Sequence, residues 1–291
     1  MADTRSKPEI AIVGAGSLAS ALAPALKKAG YRITAILVRD SAASLRRGKR
    51  LAASLGAECV AVTQAGIAAP VVWFCVPDRE ILRAAQSLAK AAKWQGKVAL
   101  HASGTMSSNE LAALRQRGAS VASAHPLMTF VRGSRPSLVG VPFAVEGDAA
   151  AVRAAYAIVR ALRGNPWTIR AADKVAYHAW GTFASPLLIA LLATTERVAK
   201  AAGVNQKTAR EKMLPILAQT LANYATLGAP EAFSGPLVRG DVETVRGHLR
   251  TLRRVPAAHA AYLALARAAT DYLPGKNRRE LRRLLKDGAV L

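Results

Sequence analysis

Lys174 and His178 stand four residues apart in the stretch DKVAYHA, which reads as helix, so both side chains fall on one helical face. Such a pair could hold a carbonyl or imine and pass it a proton, a step that needs a polar anchor and a donor titrating near neutrality. His101 and Ser103 in HASG, and His125 in AHPLMTF, follow strand-like runs and could line the same site. Each also has an ordinary reading, as a surface pair on a helix, as loop-capping or core histidines, or, for Ser103-Gly104, as a turn. Near the N-terminus, the apolar run Ile10–Val13 stops at Gly14-Ala15-Gly16. A turn without Cβ atoms lets backbone approach a pyrophosphate, and the helix opening with Ser17, Leu18 and Ala19 would aim its free N–H groups at it.

The elements that must position these residues alternate. After the glycine turn come a helix over Ser17–Lys28, a strand over Ile33–Val38 and a helix over Ala42–Leu55 with Ser41 as N-cap. Strands follow at 59–62, 71–76, 97–100, 119–124 and 143–145, with helices over 79–92, 108–117 and 148–162; Asp78 and Asp148 stand at helix starts. The run VVWFCV lacks alternation, so both of its faces are buried. This pattern is that of an α/β fold, a Rossmann-type, doubly wound, mostly parallel sheet over residues 1–170. From 171 to 291 only helix-period apolar residues appear, so a second, all-helical domain is expected there. Its helices run over 172–202, Gln206–Leu227, 241–253 and 257–272, then a basic terminal helix. Kinks are expected at Pro24, Pro186 and Pro215, because proline lacks the N–H and clashes with the carbonyl four residues back.

In open α/β sheets ligands bind at the carboxyl ends of the strands. The strand ends here deliver Gly14 to Gly16, Val38-Arg39-Asp40-Ser41, Val76-Pro77-Asp78, His101 to Gly104, and His125. Arg39 at the second strand end can pair with a 2′-phosphate, with Ser41 as hydroxyl donor, which favours NADP over NAD; Asp40, one residue on, would serve NAD if the register moved. Val76 and Pro77 would flank the same cofactor. The breaker-rich segment SGPLVRGD offers Ser234 and Arg239 as groups for an anionic substrate, or only a loop.

Composition narrows the classes. Apolar residues make up 52% and aromatics 5%, so alanine- and leucine-rich helices are expected rather than a β-sandwich. Against 18 acidic residues stand 41 basic ones, a net charge of +23. That balance favours non-specific adhesion to polyanions, but no nucleic-acid motif accompanies it and no aromatic residues interleave with the charges, so specific nucleic-acid binding is not expected. Cys59 and Cys75 have no metal-ligand spacing and read as small core residues, and no metal is expected. The polar opening MADTRSKP lacks the apolar centre of a signal peptide, and no run of about 18 uncharged apolar residues is expected downstream. A cytoplasmic protein without membrane contact follows.

The succession of glycine turn, VPD, HASG, AHPLMTF, FAVEGD, DKVAYHA and SGPLVRGD resembles the uncharacterised Rossmann-like proteins whose C-terminal helical part is a domain of unknown function. These are similar to pyrroline-5-carboxylate reductase, ketopantoate reductase and the 6-phosphogluconate and 3-hydroxyisobutyrate dehydrogenases. The resemblance implies an NADP-dependent oxidoreductase that reduces a C=O or C=N bond of a small anionic substrate, and a homodimer formed through the helical domain. Gly14, Gly16 and Ala19 match the dinucleotide turn, and Lys174 resembles the catalytic lysine of the hydroxyacid dehydrogenases, here the general acid. Four residues later those enzymes carry an asparagine where this chain has His178. Ser103-Gly104 resembles their substrate loop, and Arg239 would reach an anion across the dimer. The competing expectation is a non-catalytic NADP-binding sensor with a basic interaction face.

Overall fold

The computed structural model describes residues 7–64 and 66–287. The chain divides into two compact units, Met1–Thr182 and Phe183–Leu291. In chain order the first holds β1 (Ile10–Val13), α1 (Ser17–Lys28), β2 (Ile33–Val38), α2 (Ala42–Leu55), β3 (Glu58–Ala61), β4 (Val71–Phe74), α3 (Asp78–Ala91), β5 (Val98–His101), α4 (Ala112–Arg115), β6 (Ser120–Pro126), β7 (Pro142–Gly147), α5 (Ala149–Ala161), β8 (Asn165–Thr168) and α6 (Lys174–Thr182). The eight strands form one sheet in the order β3-β2-β1-β4-β5-β6-β7-β8. Strands β1 to β6 run parallel; β7 is antiparallel to β6, and β8 is parallel to β7.

Both faces of the sheet are covered, as its continuous apolar runs require. Ile10 and Ile12 face Leu22 and Leu26 of α1, in a cluster that also takes in Leu100, Ala122, Ala124 and Ile158 of α5. Ala11 and Val13 belong to the opposite cluster, with Ile81 and Leu88 of α3 and Leu114 of α4. Side chains alternate along a strand. His101, Ser123 and His125 therefore project on the α3 and α4 face, between neighbours that point the other way.

Several expectations shift. The units part after Thr182 rather than after Arg170, because α6 packs Tyr177 against Ala144 and Ile169 of the sheet unit. Strand β8 has no apolar run to announce it, since Asn165, Trp167 and Thr168 remain exposed at the sheet edge. The helix expected over 108–117 is a 3-10 turn, Ser108–Leu111, and the single turn α4. Asp78 lies inside α3 rather than capping it, and Asp148 sits at the cap of α5 with its carboxylate on Arg115 Nε and the Val121 N–H instead. Ser41 does cap α2, accepting from the Ser44 N–H at 3.4 Å. Helix α1 continues through Pro24.

The second unit holds α7 (Leu188–Ala201), α8 (Gln206–Leu227), α9 (Ala229–Ala232), α10 (Pro236–Arg239), α11 (Val242–Leu252), α12 (Pro256–Tyr272) and α13 (Arg278–Asp287), with no strand among the described residues. Its core is small: Val245 and Leu249 of α11, Leu263 of α12, and Leu281 and Leu285 of α13. Glu196 of α7, nearly buried, clasps Arg210 Nε at 2.8 Å and Gln206 Nε2 at 2.6 Å on α8. Pro186 falls in a π-helical turn, Phe183–Leu187, whose wider ring spares a proline its clash. Pro215 leaves α8 continuous. Helical residues Ala171–Ala201 are long and apolar enough, by length and composition alone, to cross a membrane. This corrects the expectation that no such run exists: residues 175–195 contain no Asp, Glu, Lys or Arg.

Candidate active site

Two groups of side chains lie at the carboxyl edge of the parallel strands, one around the glycine turn and one under α6. The first is a cavity of about 430 Å³, walled by Gly14 to Gly16, by Arg39 after β2 and Ser44 and Arg47 of α2, and by Val76 and Pro77 after β4 and Glu80 and Arg83 of α3. Gly14 has φ +109°, and a Cβ there would meet the Cys75 carbonyl oxygen at 2.5 Å. At Gly16 a Cβ would meet nothing within 4 Å, so backbone faces open space where a phosphate would lie. Gly16 is also the N-cap of α1 and offers no side chain, which leaves first-turn N–H groups for an anion. The residues present fit a dinucleotide.

Ala19 is buried in the α1 core contact and Leu18 packs beside it, so these serve close helix-to-strand packing. Ser17 opens the helix. Arg39 and Asp40 both line the cavity, while Ser41 is occupied as the cap of α2 and its neighbour Ser44 takes the lining position. Cys75 forms part of the floor and Cys59 is partly buried; both are free thiols, and burial pushes both pKa values up. No group of residues suited to holding a metal occurs among the described residues.

Beneath α6 lies the second group. Lys174 was expected to face a substrate, but its side chain is fully enclosed, with Nζ donating to the Ser103 carbonyl oxygen at 3.0 Å and to Ser123 Oγ at 2.7 Å. Ser123 Oγ in turn donates to the Ser103 carbonyl at 3.1 Å. Burial lowers the lysine pKa to about 8, against the opposing pull of Glu146 and then Asp78. Glu146, itself buried, accepts from the Ser108 N–H at 2.6 Å and from Ser108 Oγ at 2.9 Å. The ammonium thus braces the HASG loop from within and has no open path to a reacting atom.

His101 and Ser103 are spoken for in the same way. His101 Nδ1 accepts from the Ser103 N–H at 3.1 Å while Nε2 lies 2.9 Å from the Ser107 carbonyl, a pattern that places the ring proton on Nε2. Burial first, and then the Lys174 charge, lower its pKa to about 4, although the bond to Ser107 works against them. Ser103 Oγ accepts from the N–H groups of Thr105 and Met106 and so caps the turn. Both residues shape the loop rather than present themselves to a substrate.

One helical turn above Lys174 the surroundings open. His178 is exposed, and His125 is half-buried with its ring 6.1 Å from that of His178, centroid to centroid. Tyr177 OH lies 2.7 Å from His125 Nδ1. Burial raises the Tyr177 pKa, so its hydroxyl keeps its proton, donates to Nδ1 and leaves the His125 proton on Nε2. Burial, Lys174, His178 and His101, in that order, bring the His125 pKa to about 3, and the ring stays neutral. Gly104 keeps a gap between the two imidazoles, since a Cβ there would come 2.6 Å from His178 Cδ2 and 2.9 Å from His125 Nε2. The HASG loop, β6 and α6 thus bring a neutral N–H donor and an exposed imidazole to one place.

The helical unit treats its motif differently. Arg239 Nη2 is 2.7 Å from Asp241 Oδ2, so the cation is neutralised two residues away and Asp241 makes no side-chain cap on α11. Ser234 stands just before Gly235, the N-cap of α10, where no side chain caps the helix. Sequence reasoning missed Tyr177, Ser123, Glu146, Ser44, Glu80 and Arg83. Strand alternation from His125 would have found Ser123, and the helical spacing of Lys174 and Tyr177 would have found the tyrosine.

Residues 2–126 match the Rossmann-like domain, and residues 141–269 match DUF2520, a domain of unknown function. The chain thus carries a stretch that matches a Rossmann-like domain, followed by one that matches DUF2520. No curated protein matches it. Among solved structures, the Bacteroides fragilis protein BF3122 superposes with a TM-score of 0.74 at 21% identity, over 90% of this chain and 98% of that one. Protein TM1727 from Thermotoga maritima gives 0.69 at 23%, over 96% and 99%. A reductive aminase from Aspergillus terreus, solved with NADPH and ethyl-5-oxohexanoate, gives 0.64 at 18%, over 94% and 98%. At these identities the likeness is one of fold.

Proposed function

We propose that this Rossmann-like and DUF2520 chain is an NADPH-dependent reductase of a C=O or C=N bond in a small anionic substrate. The observation that carries the reading is the pair of imidazoles held apart by Gly104, on the same sheet edge as the glycine turn and its arginine-lined cavity. The complex of the Aspergillus terreus reductive aminase with NADPH, on a similar fold, supports the choice of cofactor. Arg39, with Arg47 and Ser44 beside it, would hold a 2′-phosphate, and the first turn of α1 the pyrophosphate. NADPH supplies the hydride.

The chain's own residues supply the rest. His125, neutral and pinned by Tyr177, donates from Nε2 to the carbonyl oxygen or imine nitrogen and polarises it. His178 delivers the proton, being the exposed imidazole of the pair. Lys174, His101 and Ser103 hold the loop that carries Gly104, so the role of general acid passes from the lysine to the histidine one turn on. The Lys174 charge beneath the site favours an anionic substrate.

A screen of small oxo acids and imines with NADPH oxidation as readout identifies a substrate. On it, His178→Ala lowers kcat by about 10²- to 10⁴-fold while NADPH affinity holds. Full turnover in that variant would sink the assignment; NADPH binding with no turnover on any compound would favour a sensor.

The reading includes a homodimer. Ile189 on α7 and Leu214, Ile216, Leu221 and Tyr224 on α8 are each more than half exposed, an apolar area that a second copy would cover. Sedimentation velocity is expected to give a dimer, and Ile216→Glu with Leu221→Glu a monomer. Recovery of the native protein with membranes would overturn both this and the cytoplasmic location, which the free thiols of Cys59 and Cys75 support.

A further inference from the structure

We infer that Glu80 is a built-in competitor for Arg39 and sets how sharply the cavity distinguishes NADPH from NADH. The inference rests on the NADPH reading and deepens it, because it concerns the cation assigned to the 2′-phosphate. Glu80 Oε1 lies 3.7 Å from Arg39 Nη1 and 3.7 Å from Arg79 Nε, with no hydrogen bond to either. The side chains are unequally placed: Glu80 is 17% exposed, against 66% for Arg39 and 86% for Arg79. The carboxylate therefore sits in the cavity wall beneath two solvent-facing guanidinium groups.

Its support is firmer than theirs. Glu80 belongs to the first turn of α3, where its N–H donates to the Pro77 carbonyl at 2.8 Å and the helix dipole favours a negative charge. Arg39 follows the last residue of β2 on a connecting segment. When a ligand enters, the exposed arginine has more room to turn than the enclosed carboxylate.

Two consequences follow for the two dinucleotides. A 2′-phosphate must share Arg39 with a fixed anion, so part of its attraction is cancelled by repulsion from Glu80. A ribose with a free 2′-hydroxyl leaves the Arg39–Glu80 pair intact, and no cation is stranded without a partner. Glu80 thus weakens the phosphorylated ligand more than the other and narrows the preference. Arg47 and Arg83, which line the same cavity, keep its balance positive even so.

The test uses the full chain and two ligands that differ only in the 2′-phosphate, 2′,5′-ADP and 5′-AMP, titrated calorimetrically at low salt. Glu80→Gln, which keeps the shape of the side chain, is expected to widen the ratio of their dissociation constants by up to about fivefold, chiefly by tightening 2′,5′-ADP, as suits an exposed ion pair. Arg39→Met should lower the ratio sharply, and adding Glu80→Gln to it should widen the ratio by less than Glu80→Gln does alone, because direct repulsion of the phosphate is relieved in both backgrounds and competition for the cation in only one. A ratio unchanged or narrowed by Glu80→Gln, in a native protein that prefers 2′,5′-ADP, would overturn the role of Glu80 alone, since the carboxylate would then be orienting Arg39. A native protein with no preference for 2′,5′-ADP would overturn the NADPH reading itself.

Discussion

Charge is handled in opposite ways at the two ends of the same sheet edge. Under α6, Lys174, His101, Ser103, Ser108, Ser123 and Glu146 satisfy one another, and every donor or acceptor named above has a partner inside the protein. Around the glycine turn, Arg39, Arg47 and Arg83 line an open cavity and the α1 N-terminus has no side-chain cap. A polar network closed on itself is structural, because a buried group left without its partner costs about 1 to 3 kcal/mol. A polar surface left open is where a ligand belongs. By that measure the residue types most suggestive of catalysis, a lysine, a histidine and a serine, are scaffolding, and the two imidazoles flanking Gly104 mark where the scaffold meets solvent.

The largest effect that would break this contrast is on acid stability. His101 must be protonated on unfolding in acid, and its folded pKa of about 4 lies below the ordinary value of 6.5. Between those values the unfolded chain binds more protons, so stability is complete above about pH 6.5 and is lost as the pH falls toward 4. The span corresponds to about 3 kcal/mol from this one buried group. His125, with a folded pKa near 3, adds loss in the same direction. Urea melts at a series of pH values should show the decline, and His101→Gln should flatten it while lowering stability at pH 7. A midpoint constant from pH 7 to 4 would mean that the network is hydrated and open like the arginine cavity.

Much of this architecture could be read directly from residues. The non-alternating runs around Val71 and Val98 demanded a sheet covered on both faces, and Gly14-Ala15-Gly16 after such a run demanded a backbone turn free of Cβ atoms. The sheet edge was less legible, because β8 carries Asn165 and Trp167 in place of an apolar run and is held by pairing to β7. Spacing placed Lys174 and His178 on one face of a helix, and they are on one; it could not say that a turn of helix separates a sealed environment from an open one. Depth along a helix axis is fixed by what packs against it, here Ser123 at one level and Gly104 at the next. Glu80 and Arg83 were illegible for a related reason: their places in the cavity wall are set by how α3 leaves β4, not by any local pattern. The apolar stretch over 175–195 is hard to see because His178, Gly181 and Pro186 interrupt it without adding charge.

A smaller effect sharpens the comparison at Lys174. Lys174→Met keeps the volume and removes the buried charge, so relief of desolvation offsets the two lost hydrogen bonds and the net change at pH 7 should be within about 1 kcal/mol. The diagnostic lies at higher pH. The native lysine has a folded pKa of about 8 against an ordinary 10.5, so between these values the folded chain holds fewer protons than the unfolded one, and stability climbs as the pH rises. The methionine variant lacks this climb. Its second signature is at His125, whose protonation the ammonium opposes: without Lys174 the imidazole should titrate at higher pH, readable from its ring resonances by NMR. A variant that keeps the alkaline rise, or leaves the His125 titration in place, would show that the Lys174 ammonium is solvated, and the sealed half of the contrast would fall.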